Sequence, residues 1–276
     1  MRRFLCRFLS QFLRRVVTKP RTVATFTTVL MAQALMPAGA GEQPSVQASV
    51  VTVAVASNFS APMKVIATEF EQATGHKVTS SFGGTGSFYA QIKNGAPFDL
   101  FLSADAQTPA RLVQEGVAVA DSRFTYAVGR LVLWSTTPGL VDGTGAILGS
   151  AAIDRIAIAD PKLAPYGAAA QQVIERLGLM QALRPKLVQG KNISQTYQFV
   201  ASGNAQLGFV ALSQVFVNGE LKAGSGWVVP SDDHTPISQD AVLLIAGQGN
   251  PAAHAFLAYL QSDKARKVIE LYGYQY

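Results

Sequence analysis

The chain has 276 residues, of which 49% are hydrophobic and 14% charged, so it can bury the core of one large domain or of two ordinary ones. Its formal net charge is +6, but seven basic and no acidic residues precede residue 41, which leaves 16 basic and 17 acidic residues, a charge of −1, in the remainder. That balance argues against nucleic-acid binding, which depends on a basic face, and no nucleic-acid partner is expected.

The first 40 residues are predicted to be a signal peptide. A basic segment is followed by an apolar stretch that closes on the small residues Ala-Gly-Ala at 38 to 40, a pattern that signal peptidase accepts. The apolar core is shorter than the roughly 20 residues that a membrane-spanning helix needs. We expect cleavage after Ala40 and export to the periplasm by the Sec or the Tat route. The only cysteine, Cys6, is removed with this segment, so the mature protein has no disulfide or cysteine ligand.

Strand and helix patterns alternate along the first half of the chain. The run VVTVAVA at residues 50 to 56 predicts a buried strand, and apolar residues spaced three and four apart predict that a helix follows it and ends at Gly75. The same alternation predicts strands over residues 77 to 82 and 99 to 104, and helices over residues 86 to 94 and up to Gly116.

The second half repeats this alternation after a boundary. A long apolar strand is predicted over residues 126 to 135, and the proline and glycines after it indicate that the chain passes into a second domain. The later predicted elements are strands at 155 to 160, 206 to 211 and 240 to 247, and helices at 166 to 178, after Asn192 and at the C-terminus.

Strands separated by helices of this length predict an α/β fold with two parallel-rich sheets flanked by helices. We assign residues 48 to 128 and 238 to 276 to one lobe and residues 129 to 237 to the other, with a hinge between them.

Two loops that leave strands of the first lobe carry polar residues. In open parallel sheets ligands bind beyond the carboxyl ends of the strands, which makes these loops the candidates for a site. The first, ASNFSAP, places Ser57 and Asn58 at the strand end, with Ser60 as a candidate cap of the helix. The second, SSFGGTGS, combines three glycines with Thr85 beside a helix start, where an anion is the expected occupant and a tight turn is the alternative. Dinucleotide binding is disfavoured because Tyr89 stands where a third glycine is required.

Two further loops come from the second lobe. In ADPKLAPYG the phenol of Tyr166 can turn either toward the cleft or into the core. In GKNISQ the residues Asn192 and Gln195 form a capping-box-like pair that leaves the amide of Ile193 facing outward. Each helix start carries about +0.5 charge, so together these loops can enclose an anion without a cationic side chain.

Signatures of catalysis are missing from the sequence. It contains no G-x-S-x-G and no H-E-x-x-H motif, and its three histidines are isolated from one another. We therefore expect a binding protein that is not an enzyme and that needs no cofactor.

Four segments in this order resemble the periplasmic molybdate-binding proteins of ABC importers. The segments are VTVAVASNFSAPMKVIATEFEQATGHKV, SSFGGTGSFYAQIKNGAPFDLFLSAD, IAIADPKLAPYGAAAQQVIERLG and QLGFVALSQV, and the resemblance covers nearly all of residues 50 to 276. It implies a two-lobed type II periplasmic binding protein fold that closes on molybdate or tungstate and delivers the anion to a membrane permease. It also implies a monomer that holds molybdenum only within the oxyanion, without direct protein ligands to the metal.

The resemblance assigns the contacts to the oxyanion. The implied contacts are Ser57, with Asn58 as an additional donor in some relatives, then Thr85, Tyr166 and the backbone amide of Ile193. Where some relatives have a ligand-binding tyrosine this chain has Ala211, and the phenol of Tyr166 is expected to replace it.

Alternatives are a binding protein for sulfate or phosphate and, from another class, an exported enzyme. Monoprotonated phosphate must donate a hydrogen bond, and Asp160 is the only acidic residue that the four loops offer as an acceptor, which favours a fully deprotonated anion.

Overall fold

The structure is a computed structural model that describes residues 48–276. The predicted signal peptide lies outside the described residues. Within them, no helix is long and apolar enough to cross a membrane.

Twelve strands are formed in the described part of the chain. They are β1 (Val50–Ala56), β2 (Lys77–Gly83), β3 (Leu100–Leu102), β4 (Phe124–Gly129), β5 (Leu131–Ser135), β6 (Ile156–Ala159), β7 (Leu187–Gly190), β8 (Leu207–Ala211), β9 (Phe216–Val217), β10 (Glu220–Leu221), β11 (Ser225–Val228) and β12 (Ile237–Leu243).

Nine α-helices lie between and after these strands in residues 48–276. They are α1 (Ser60–Thr74), α2 (Thr85–Lys93), α3 (Gln107–Gln114), α4 (Pro165–Arg176), α5 (Met180–Leu183), α6 (Ile193–Ala201), α7 (Leu212–Val215), α8 (Pro251–Leu260) and α9 (Asp263–Leu271).

Two five-stranded sheets form the framework, and both are mixed. The first has the order β2-β1-β3-β12-β4, with β1 parallel to β2 and β3 and with β12 antiparallel to its neighbours. The second has the order β11-β5-β8-β6-β7, with β6 parallel to β7 and β8 and with β5 antiparallel to β8 and β11. The α/β fold with two helix-flanked sheets is confirmed, and the lobe boundaries assigned from the sequence stay a prediction.

Helices cover both faces of each sheet, which explains the apolar strands. On the first sheet, α1, α8 and α9 bury one face around Met63 and Phe256, while α2 and α3 bury the other around Phe88 and Leu112. On the second sheet, the face under α4 is packed around Val173, and α6 and α7 cover the opposite face. Strands buried on both faces show continuous hydrophobic runs rather than alternation.

The single strand predicted over residues 126 to 135 is wrong. The chain forms β4 in the first sheet and β5 in the second, and only Arg130 separates them. The backbone carbonyl of Arg130 accepts a hydrogen bond from the amide of Leu212. At this residue the strand pairing in the first sheet ends and the strand pairing in the second sheet begins. Both strands are apolar, so hydrophobic periodicity cannot reveal where the chain changes sheets.

Gly129, the last residue of β4, lies where the chain leaves the first sheet. A methyl group at this position would overlap the Tyr166 hydroxyl oxygen and come within 2.6 Å of Gln239 Nε2. Both of these neighbours are fully buried and have no room to move away. The glycine therefore permits a polar contact between side chains attached to the two sheets.

We predict that Gly129→Ala lowers the free energy of unfolding by about 1–3 kcal/mol, the usual cost of overpacking a core. Gly249→Ala is the matched control, because a methyl group there meets no atom within 4 Å, and it should change stability by less than about 0.5 kcal/mol. Urea unfolding midpoints measure both variants. Equal midpoints for the two would contradict the proposed close packing.

Candidate functional site

The five predicted site residues line one small cavity at the ends of strands from both sheets. Ser57 and Asn58 follow β1, Thr85 follows β2, Tyr166 follows β6, and Ile193 follows β7. All five are at least 94% buried. The structure therefore brings together segments that are up to 136 positions apart in the sequence.

Ser57 begins a short 3₁₀ turn, Ser57–Phe59, that leads into α1. Its backbone carbonyl accepts hydrogen bonds from the hydroxyls of Ser60, at 2.6 Å, and Ser194, at 3.3 Å. The expected capping by Ser60 is wrong, since α1 has no side-chain cap and the Ser60 hydroxyl donates to a carbonyl instead. Within residues 48–276 no hydrogen bond is formed by the Ser57 hydroxyl, which leaves that group available to a ligand.

Thr85 is the first residue of α2, and its hydroxyl has a structural partner. The oxygen Oγ1 accepts a hydrogen bond of 3.1 Å from the backbone amide of Ala104. Because a hydroxyl can accept and donate together, its hydrogen stays free for a ligand. The neighbouring amide of Gly86 donates to the carbonyl of Leu163 at 3.1 Å, so the glycines let loops of the two sheets meet directly around the cavity.

Tyr166 lies in the first turn of α4, and its phenol has a partner within the protein. The phenol oxygen accepts a hydrogen bond of 3.0 Å from Gln239 Nε2 and packs beside Gly129, and neither of these residues lines the cavity. Burial raises the pKa of this phenol well above its usual value, so it stays neutral. The backbone N–H of Tyr166 is a further donor without a partner in the first helical turn.

Ile193 offers a backbone N–H in the same way. Its helix, α6, is capped by Asn192, whose Oδ1 accepts from the amide of Gln195 at 3.0 Å. The side chain of Gln195 accepts in turn from the amide of Lys191 at 2.7 Å, one residue earlier than a standard capping box. The cap uses the amide of Gln195 and leaves that of Ile193, at the first helical position, pointing away from the helix.

Asn58 differs from the other four because its donors already have partners. Its Nδ2 donates to Gln239 Oε1 at 2.8 Å and to the hydroxyl of Tyr274 at 2.9 Å. Its Oδ1 is the one side-chain nitrogen or oxygen atom in residues 48–276 that is fully shielded from solvent and has no hydrogen-bond partner. Sequence reasoning missed Gln239 and Tyr274. The available signal for Gln239 was a run of three polar residues, Ser238 to Asp240, between the apolar residues of β12.

The electrostatics of the cavity come from helix ends rather than from ionised side chains. The first turns of α2, α4 and α6 and the 3₁₀ turn before α1 meet there, each with unpaired N–H groups and a partial positive charge. Among the described residues, the cavity lining includes no Lys, Arg, His, Asp or Glu. The Asp160 carboxylate instead accepts from the amide of Lys162 at 2.9 Å. No group of three or more potential metal-binding side chains occurs in residues 48–276.

The cavity is small in this structure. Its volume is about 10 Å³, close to the ~10–15 Å³ required by one water-sized group. A larger cavity of about 520 Å³ adjoins it and shares Thr85, Ala104, Ala164 and Pro165. We assign the ligand site to the smaller cavity because the free N–H and hydroxyl donors converge there. A nucleotide would need a pocket of several hundred Å³.

Comparison with known proteins identifies close relatives. The family described as bacterial extracellular solute-binding protein matches residues 51–275. A molybdate-binding protein ModA of Azotobacter vinelandii is 60% identical over 228 residues, which cover 83% of this chain and 90% of the relative. ModA of Rhodobacter capsulatus is 52% identical over 254 residues, or 92% of this chain and 96% of the relative. A solved periplasmic molybdate-binding protein of Azotobacter vinelandii superposes with a TM-score of 0.79 at 40% identity, covering 82% of this chain and 99% of that one.

We predict that Thr85→Val destabilises the protein even without a ligand, because the buried amide of Ala104 loses its acceptor. The expected decrease in the free energy of unfolding is about 1–3 kcal/mol. Thr85→Ser, which keeps the hydroxyl and loses one methyl group, should cost at most about 1 kcal/mol. Urea unfolding in anion-free buffer compares them, and a valine variant as stable as the serine variant would contradict this role.

Proposed function

The chain belongs to the bacterial extracellular solute-binding protein family, and on that premise we propose that it is the molybdate-binding component of an ABC importer. In this role it binds the anion and releases it to a permease in the membrane. It performs no catalysis and requires no cofactor.

One observation carries this proposal: neutral donors from four chain segments converge on a small cavity without any cationic side chain. Molybdate is a compact tetrahedral dianion whose oxygens only accept hydrogen bonds. Backbone N–H groups at helix starts and the hydroxyls of Ser57 and Thr85 match that requirement, because anions bind favourably at helix N-termini. The donors around the cavity therefore suit a fully deprotonated oxyanion.

The relatives support molybdate over other anions of this shape. Two ModA proteins share more than half of their aligned residues with this chain. Both are described as molybdate-binding proteins. Tungstate has the same charge and shape, so we propose that it binds as well. Sulfate and phosphate are disfavoured alternatives, and a protonated phosphate finds no carboxylate acceptor in the lining formed by the described residues.

The remaining features of the proposal concern location and assembly. We propose that the protein works in the periplasm as a monomer after loss of residues 1 to 40, and that two lobes close around the anion. The direct contacts between Gly86 and Leu163 and between Ser194 and Ser57 support closure, since each joins loops that leave different sheets.

We predict one molybdate per protein in titration calorimetry, with tungstate competing for the same site. Ser57→Ala and Thr85→Ala should each weaken molybdate binding by about 1.5–3 kcal/mol, or ~10–150-fold, the range for hydrogen bonds to charged groups.

Ser87→Ala is the matched control, because Ser87 is exposed, lies two residues after Thr85 and does not line the cavity. It should leave the affinity unchanged. Binding of sulfate with no heat from molybdate would overturn the assignment of the anion, and unchanged affinity in both alanine variants would remove these hydroxyls from the site.

We also predict that the protein recovered from a periplasmic extract begins at Gly41. N-terminal sequencing or intact mass measurement tests this, since removal of the basic segment also changes the net charge from +6 to −1. Retention of residues 1 to 40 in the exported protein would contradict the predicted cleavage.

A further inference from the structure

A buried polar cluster lies behind the anion cavity and joins it to the place where the chain crosses between the sheets. Its members are Asn58, Tyr126, Tyr166, Ser213, Gln239 and Tyr274, all at most 5% exposed. Gln239 is at the centre, with hydrogen bonds to three of the others. Gln239 does not line the cavity itself.

The hydrogen bonds in the structure correspond to one orientation of each of the two amide side chains. Gln239 Oε1 accepts from Asn58 Nδ2 at 2.8 Å and from the Tyr126 hydroxyl at 3.0 Å, while Gln239 Nε2 donates to the Tyr166 hydroxyl at 3.0 Å. This arrangement leaves Asn58 Oδ1 buried and without a partner. A buried unsatisfied carbonyl oxygen costs free energy, and a carbonyl oxygen repels an anion nearby.

A half-turn of both amides about their last side-chain bonds gives a second arrangement in which every acceptor has a partner. Asn58 Oδ1 then takes the position that Nδ2 occupies in the structure, 2.8 Å from the end of the Gln239 side chain and 2.9 Å from the Tyr274 hydroxyl. Gln239 Nε2 donates to Asn58 Oδ1 and to the Tyr126 hydroxyl, which can donate onward to the carbonyl of Ser103, 3.0 Å away. Gln239 Oε1 accepts from the Tyr166 hydroxyl.

The two amides have to turn together. If Asn58 turned alone, its Oδ1 would face Gln239 Oε1 at about the present separation of 2.8 Å, and two acceptors would oppose each other. The tyrosines allow either arrangement, because a neutral hydroxyl both donates and accepts. Burial raises the pKa of Tyr126, Tyr166 and Tyr274, which keeps all three neutral.

We propose that Gln239 is a positioning residue that turns together with Asn58 when the anion binds, so that Asn58 presents Nδ2 instead of Oδ1 to the cavity. After the turn, the part of the Asn58 amide that has no partner in the protein is Nδ2 rather than Oδ1. The anion accepts a hydrogen bond from this Nδ2 group. This inference rests on the proposed function, and it adds a residue outside the cavity that determines whether Asn58 donates or accepts.

The two arrangements favour different anions. With Oδ1 toward the cavity, Asn58 offers an acceptor, which suits a protonated anion such as hydrogen phosphate. With Nδ2 toward the cavity it offers a donor, which suits an anion that only accepts, such as molybdate. Gln239 thereby contributes to the choice between these anions without contacting them.

A double-mutant cycle tests whether Gln239 acts through Asn58. Titration calorimetry with molybdate compares the wild type, Asn58→Ala, Gln239→Met and the double variant, since methionine has nearly the length of glutamine but forms no such hydrogen bonds. We expect Asn58→Ala to weaken binding by about 10–100-fold and Gln239→Met by about tenfold. In the Asn58→Ala background, Gln239→Met should change the affinity by less than about threefold.

Gln261→Met is the matched control at an exposed glutamine, and it should leave the affinity unchanged. Circular dichroism establishes that each variant is folded. An equal loss from Gln239→Met in both backgrounds would mean a merely structural role and would overturn the inference. Failure of the wild type to bind molybdate would instead overturn the proposed function, so the two failures are distinguishable.

Nitrogen-15 NMR of the wild type gives a second readout that does not depend on any variant's folding. The side-chain NH₂ resonances of Asn58 and Gln239 should both shift when molybdate is added, while that of Gln261 should stay in place. A shift of Asn58 alone, with the Gln239 resonance unchanged, would overturn the joint turn of the two amides.

Discussion

The proposed function requires the cavity to stabilise a buried anion by hydrogen-bond donors alone. An isolated charge removed from water is costly, so an anion without an ionic partner has to find several donors at once. One loop cannot supply them, because the first turn of a helix directs only a few N–H groups to one point. Four segments therefore meet at the cavity, two from each sheet, and the fold serves to bring the ends of β1, β2, β6 and β7 together.

The chain crosses between the sheets beside the candidate site. Strand β4 ends at Gly129 in the first sheet and β5 begins at Leu131 in the second, and β12 returns to the first sheet next to β4. Gln239 of β12 and Tyr166 of α4 make their hydrogen bond against Gly129. A buried polar network is stable only if its members are satisfied. The anion site and the crossing are thus joined by hydrogen bonds, so a change at one has a physical route to the other.

Sequence reasoning succeeded where local pattern carries the signal. Strand β1 was predicted with its observed bounds, and the strand-to-helix loops that carry Ser57, Thr85 and Ile193 converge as expected for loops at strand ends. It failed where a choice depends on a distant partner. Ser60 had the chemistry of a helix cap but donates to a carbonyl, and the partner of the Tyr166 phenol is Gln239, 73 positions away. The sequence also did not identify which strands run antiparallel, because an apolar strand has the same pattern in either direction.

The sequence by itself determined the order of the elements, their apolar faces and the polar loops at their ends, because those depend on spacing along the chain and on the chemistry of neighbouring residues. The relatedness to solute-binding proteins was equally visible in it. Only the tertiary structure decided that residues 126 to 135 divide between two sheets, that Gly86 touches Leu163, and that Asn58 is held by Gln239 and Tyr274. Those facts depend on contacts between residues far apart in sequence, whose partners are determined by packing rather than by local preference.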